Sequence, residues 1–179
     1  MRNFLCSLLV PIVSLGLSTA NAADPGNVRV DFVHPERFTD FRIQGRDENA
    51  SVPIFRTEVS NYLSPLVAKR FPGETLTLRF TDIDLAGRLG NRPRFNNVRF
   101  NHQWGPPIRM SFDYSVTDSK GTVVVGGSKS LLSQDYLWDY DYYRYYPQSL
   151  KTSPVFYEKA TLAKWVRGLE PSGAKLARD

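Results

Sequence analysis

Apolar residues recur at two spacings along this chain, every second position and every third or fourth, and they divide residues 28–168 into six elements. Val28, Val30 and Phe32 alternate with Arg29 and Asp31, which predicts a short strand with one buried face, ended by Pro35. Phe38 to Phe41 reads as a turn or loop, and Gly45 to Asn49 as polar and irregular. Ser51 is the expected N-cap of a helix with Pro53 in its first turn. Within it Phe55, Val59, Tyr62, Leu63, Leu66, Val67 and Phe71 share one face. Pro65 falls inside this pattern and predicts a kink or an early end. Lys69 and Arg70 suit a last turn, and Pro72-Gly73 ends the element.

Leu76, Leu78 and Phe80 alternate with threonines and Arg79 to give a second strand, which the chain leaves through residues 82–88. A strand, helix and strand of these lengths suit a crossover between parallel strands. Residues 88–107 are loop-like, with a brief extra strand at Val98 to Phe100. Ile108, Met110, Phe112, Tyr114 and Val116 form the cleanest alternation of all. Asp118 to Gly121 turns the chain back into a fourth strand over Thr122 to Leu132, making a hairpin. Gly126 and Gly127 inside it imply a bulge or a close backbone approach. Ser153 and Pro154 are the expected N-cap and first residue of a last helix, whose face toward the sheet carries Phe156, Tyr157, Ala160, Ala163, Trp165 and Val166. The fold class is therefore α+β, a two-layer sandwich with a mixed four-stranded sheet, both helices on one face and the order βαβββα. Alternating strands agree with it, since a sheet covered on both faces reads as continuous apolar runs. Strand order is left open.

The N-terminus changes the picture. Arg2, an apolar core from Phe4 to Leu17 and Ala20-Asn21-Ala22 form a secretory signal peptide over residues 1–22. Its apolar run is roughly 14 residues, short of the roughly 20 that a spanning helix needs. The expectation is a periplasmic or secreted single domain over residues 23–179, with its core at about 28–167 and no transmembrane segment. The single cysteine, Cys6, leaves with the leader, so the exported domain has no disulfide. Loss of Arg2 lowers the formal charge of +5 by one. Mild basicity is compatible with an anionic envelope polymer, while export and mixed-sign charge exclude nucleic acid as the natural partner.

Candidate chemistry is sparse. Asp82 and Asp84 flank Ile83 and can place two carboxylates on one side, for a cation or for acid–base work, or can cap a turn or pair with Arg88. Arg88, Arg92, Arg94 and Arg99 form a basic run able to hold phosphate or carboxylate groups or simply to face water. Residues 136–146 hold six of the nine tyrosines, with Trp138, Tyr140 and Tyr142 the contact candidates for a sugar or protein, or a cover for the core. His34 and His102 are the only histidines, which excludes a multi-histidine metal centre. No catalytic, cofactor-binding or metal-binding residue is assigned, and the oligomeric state is open.

Phe80-Thr81-Asp82-Ile83-Asp84-Leu85-Ala86-Gly87 resembles the core motif of an uncharacterised exported proteobacterial family, domain of unknown function 3016. Val30-Asp31-Phe32 with Pro35 and Phe38-Thr39-Asp40, Trp104 to Ile108, and Tyr157-Glu158-Lys159 with Trp165 resemble its other signatures. The resemblance implies an exported single-domain protein and supplies no activity. The leading expectation is a non-catalytic binding or structural module that contacts an envelope protein or an anionic envelope component. The alternative is a carboxylate-dependent polysaccharide hydrolase or lyase.

Overall fold

The computed structural model describes residues 26–89, 99–100, 106–134 and 153–170. The first strand, β1 (Val28–Phe32), runs parallel to β2 (Thr75–Asp84), and helix α1 (Glu48–Arg70) crosses between them. Arg88–Leu89 (β3) and Arg99–Phe100 (β4) make a separate two-residue pairing, and Arg99–Phe100 lies within the brief strand expected there. Strands β5 (Ile108–Thr117) and β6 (Val123–Ser133) form the expected hairpin. Helix α2 (Phe156–Gly168) follows. The main sheet has the order β1-β2-β5-β6, parallel at β1/β2 and antiparallel elsewhere. This is the mixed four-stranded α+β sandwich that the alternation predicts.

Both helices lie on the sheet face formed by Leu76, Leu78, Phe80, Met110 and Phe112, all buried. The centre is aromatic. Phe80 stands 5.8 Å from Phe32, 5.4 Å from Phe55 and 5.2 Å from Phe112, centroid to centroid. Trp165 of α2 packs edge-on against Phe112 and Tyr114, at 4.9 and 5.0 Å. Tyr114 lies against Gly127 directly opposite on β6, where a Cβ would sit 3.5 Å from the ring. Gly127 thus provides close approach, while the β6 irregularity falls elsewhere, opposite Val116 and Thr117.

Three boundaries differ from the sequence expectation. Asp47, not Ser51, caps α1: its carboxylate accepts the Ala50 N–H at 2.8 Å. Ser51 is buried one turn in, where its hydroxyl accepts from the Ile43 N–H and donates to the Asp47 carbonyl. Helix α2 starts at Phe156 rather than Pro154: the Lys159 N–H donates to the Val155 carbonyl, which makes Val155 the cap residue, while the Ser153 hydroxyl donates to Glu58 and accepts the Val155 N–H in the turn before it. Strand β2 runs on to Asp84, past the predicted exit, through a bulge between Phe80 and Asp82.

Pro65 does not end α1, which is continuous to Arg70. The ring is on the exposed side, so the carbonyl it leaves unpaired meets water instead of the core. Pro65→Ala is expected to raise stability by about 1–2 kcal/mol, the restored helix bond outweighing the greater freedom of the unfolded chain. Urea unfolding checks this.

Candidate functional site

The helices cover one face of the sheet, and the other face carries the candidate carboxylates. Along β2 the residues Thr75, Thr77 and Arg79 point away from the core until the bulge at Thr81. The bulge adds one residue and reverses the parity, so Asp82 and Asp84 continue on that same outward face while Ile83 is buried. The register then sets three rows across the sheet: Arg79, Asp113 and Ser128; Asp82, Ser111 and Ser130; Asp84, Arg109 and Leu132. The Ser128 hydroxyl donates to Asp113 at 2.6 Å, and the Ser111 and Ser130 hydroxyls are 3.2 Å apart. The Thr81 hydroxyl donates to the Ser111 carbonyl, and Arg79 lies 3.9 Å from Asp113. Thr81, Ser111, Asp113, Ser128 and Ser130 line a shallow depression of about 260 Å³. Both signs of charge thus alternate over a flat floor of hydroxyls.

Asp82 has a definite task. Its Oδ1 accepts the Thr39 N–H at 2.8 Å and its Oδ2 the Thr39 hydroxyl at 3.0 Å. Beside it Asp40 forms a parallel bridge to Asp84, and the Leu85 N–H reaches the Asp40 carbonyl at 3.0 Å. Glu158, only 2 % exposed, accepts the Ala86 N–H at 2.7 Å. The segments 38–40, 80–87 and 157–159 therefore converge on the end of β2 and fix how the chain leaves the sheet. Asp82→Ala is expected to cost about 0.5–1.5 kcal/mol, the net worth of hydrogen bonds whose donors water can reach, and Asp82→Asn less because it keeps an acceptor. Thermal melting of both variants checks the order.

A family profile described as "Protein of unknown function (DUF3016)" matches residues 26–168. The chain belongs to the DUF3016 family. No curated protein and no solved structure matches it. The segments that converge at the end of β2 all lie inside the matched region, so this DUF3016 chain uses them to build its frame.

Of the residues singled out from sequence, the structure brings Asp82 and Asp84 together on the open face. Arg88 begins β3, beyond the Glu158 contact. Arg92, Arg94, Trp138, Tyr140 and Tyr142 lie outside the described residues, as do residues 1–22, where the sequence predicts a leader. Sequence reading missed Arg79, Arg109 and Asp113 as face residues, although their alternation with apolar positions was visible. The signal that selects them is register, which requires the fold. It also missed a depression of about 340 Å³ where both helices end, lined by Leu66, Lys69, Arg70 and Arg167. There Arg70 Nε donates to the Leu169 carbonyl at 2.9 Å and joins the two helix ends.

The second polar centre lies between the helices. Lys159 is 4 % exposed, with its ammonium 2.6 Å from Glu58 and 5.3 Å from the Tyr62 ring centroid. Burial pushes the Glu58 carboxyl up. Hydrogen bonds from Lys159 and Ser153 and the Lys159 charge together outweigh it and hold Glu58 below its usual range. Among the described residues no group of His, Cys, Asp or Glu is arranged to hold a metal ion. No described helix is long and apolar enough to cross a membrane.

Proposed function

We propose that this protein is an exported, non-catalytic module of the periplasm or extracellular medium that binds a partner protein through the open face of its sheet. The observation that carries the reading is the row structure of that face: Arg79, Asp82, Asp84, Arg109 and Asp113, of both signs, stand between serine hydroxyls. Such a surface fits a protein with complementary charges better than a polyanion, which would be repelled by the three aspartates. The best carboxylate for acid–base chemistry, Asp82, already holds Thr39 with both oxygens, which weighs against the hydrolase or lyase reading. Export rests on residues 1–22.

The test has two parts. Mass spectrometry of the protein recovered from a bacterial periplasm is expected to give an N-terminus at Ala23; an intact N-terminus retained in the cytoplasm would overturn the localisation. Crosslinking from Ser115, on the same face, is expected to capture a partner that the doubly substituted Arg79→Glu, Arg109→Glu protein loses. Equal capture by both would refute the surface.

A second reading is favoured by Lys69, Arg70 and Arg167, which gather three cations at one depression and suit an anionic envelope component. Binding of dextran sulfate, lost in Lys69→Glu with Arg167→Glu and kept when Arg79 and Arg109 are changed, would support it.

A further inference from the structure

The two edges of the sheet are treated differently. At β1 the Arg56 guanidinium donates to the Val30 carbonyl at 2.9 Å, and Asn27 exchanges hydrogen bonds with Ser64, so α1 closes that edge. Among the described strands β6 is the other edge, eleven residues long, with Gly126 to Ser130 exposed throughout. It contains no proline, its one charge is Lys129, and its irregularity is confined to the end near Val123, so the stretch from Val125 to Leu132 is a regular, thinly protected edge. The two large hydrophobic residues that are exposed among the described residues, Val123 at 58 % and Leu132 at 63 %, both belong to it.

We propose that two copies of this chain associate through β6, antiparallel about a dyad at Ser128, into one continuous eight-stranded sheet. The sequence of β6, VVVGGSKSLLS, is apolar at both ends and small and polar between them. About that dyad Val125 meets Leu131 of the second copy, Gly126 meets Ser130 and Gly127 meets Lys129. Val124, the extra residue at the register irregularity, packs toward the core, so the pairs that share a face are Val125 with Leu131, on the helix side opposite Val116 and Met110, and those between them; Leu132, which points outward opposite Arg109, flanks them at the end of the seam. A slip of one residue would put inward side chains opposite outward ones. A dyad at Lys129 would place two ammonium groups opposite each other, and one at Gly127 would move Leu132 past the end of the strand against Thr122. The dyad at Ser128 alone joins apolar to apolar on a shared face and keeps the lysines apart; a dyad at Gly127 would set Leu131 opposite Val123, which points the other way beside Thr117. It also brings Lys129 beside the glycine that the Tyr114 ring covers, where an alkyl stem can lie along the aromatic edge. Self-complementarity of this kind is what a two-fold interface demands and what an unrelated peptide would not supply. The association is independent of the partner reading above and doubles that face.

Sedimentation velocity of the full chain over a range of concentrations, combined with disulfide trapping, tests this. In a Cys6→Ser background, Ser128→Cys sits opposite itself, with Cβ atoms about 4.5–5.5 Å apart, close enough to oxidise to a dimer after small adjustment. Ser119→Cys, in the hairpin turn, is expected to stay monomeric on oxidation. Leu132→Lys, exposed in the single chain, is expected to leave the melting temperature unchanged and shift the protein from dimer to monomer by at least tenfold in dissociation constant. A wild-type protein that is monomeric at about 100 μM with no Ser128→Cys crosslink overturns the proposal, as does a dimer that survives Leu132→Lys or traps equally at Ser119. If Leu132→Lys fails to fold, the two cysteine variants decide alone.

Discussion

Glu58→Ala is expected to destabilise the protein by about 3 kcal/mol in urea unfolding at neutral pH. The loss comes from the partner that remains. Lys159 is almost completely buried, and without Glu58 its ammonium keeps only the Tyr62 ring as a described electrostatic neighbour. Breaking a fully buried ion pair costs about 3–5 kcal/mol, and the figure is taken at the low end because a third of the Glu58 side chain is exposed. The double variant Glu58→Ala, Lys159→Met is expected to recover most of the loss, because it removes the unpaired charge as well. A double variant as unstable as the single one would show that packing, not charge, is at stake. Acidity gives an independent readout. Glu58 has a lower pKa folded than unfolded, so its share of stability is complete above its unfolded value of about 4.3 and disappears as pH falls through the lower folded value. The acid limb of the wild-type stability curve is therefore expected to be steeper than that of Glu58→Ala.

Phe80→Ala is expected to cost about 3–5 kcal/mol, the range for truncating a buried aromatic ring. Phe80 is fully buried, on a central strand, and touches rings from β1, α1 and β5. Its removal opens a cavity at the one place where both layers and three strands meet, with little freedom to collapse because Phe32, Phe55 and Phe112 are held from different sides. Phe80→Leu is expected to cost less than half as much. Guanidinium titration with an unchanged slope would confirm a loss of stability without a change in the unfolded chain.

Alternation made the strands legible because each has one wet face, and the parallel crossover followed from their spacing. Polar residues inside the helical pattern were harder. Glu158 and Lys159 were not among the residues expected to face the sheet, yet both are buried, since each finds its partner on a different element, Ala86 and Glu58. Asp47 was hidden as a cap because Ser51 and Pro53 formed a better local start signal, and local signals carry no knowledge of the Ile43 N–H that claims Ser51. The candidate site was legible only in part. That Asp82 and Asp84 share a side was visible from their spacing. That they share it with Arg79 was not, because a strict period of two would set Arg79 and Asp82 on opposite faces, and only the bulge at Thr81 reconciles them. Arg109, Asp113 and Ser128 join them through register, a property of paired strands that no single segment contains.

The hydrogen bond from Ala86 to Glu158 also orders events in time. Ala86 leaves β2 halfway along the chain, and the carboxylate that receives its N–H is made 72 residues later, next to the lysine that pairs with Glu58. During synthesis the first helix and the central strand therefore lack these two contacts until residues 158 and 159 arrive. A chain truncated before residue 158 has no means of closing either contact and should remain open to proteases. Helix α2 thus locks both the end of β2 and helix α1, and neither is locked before α2 is made.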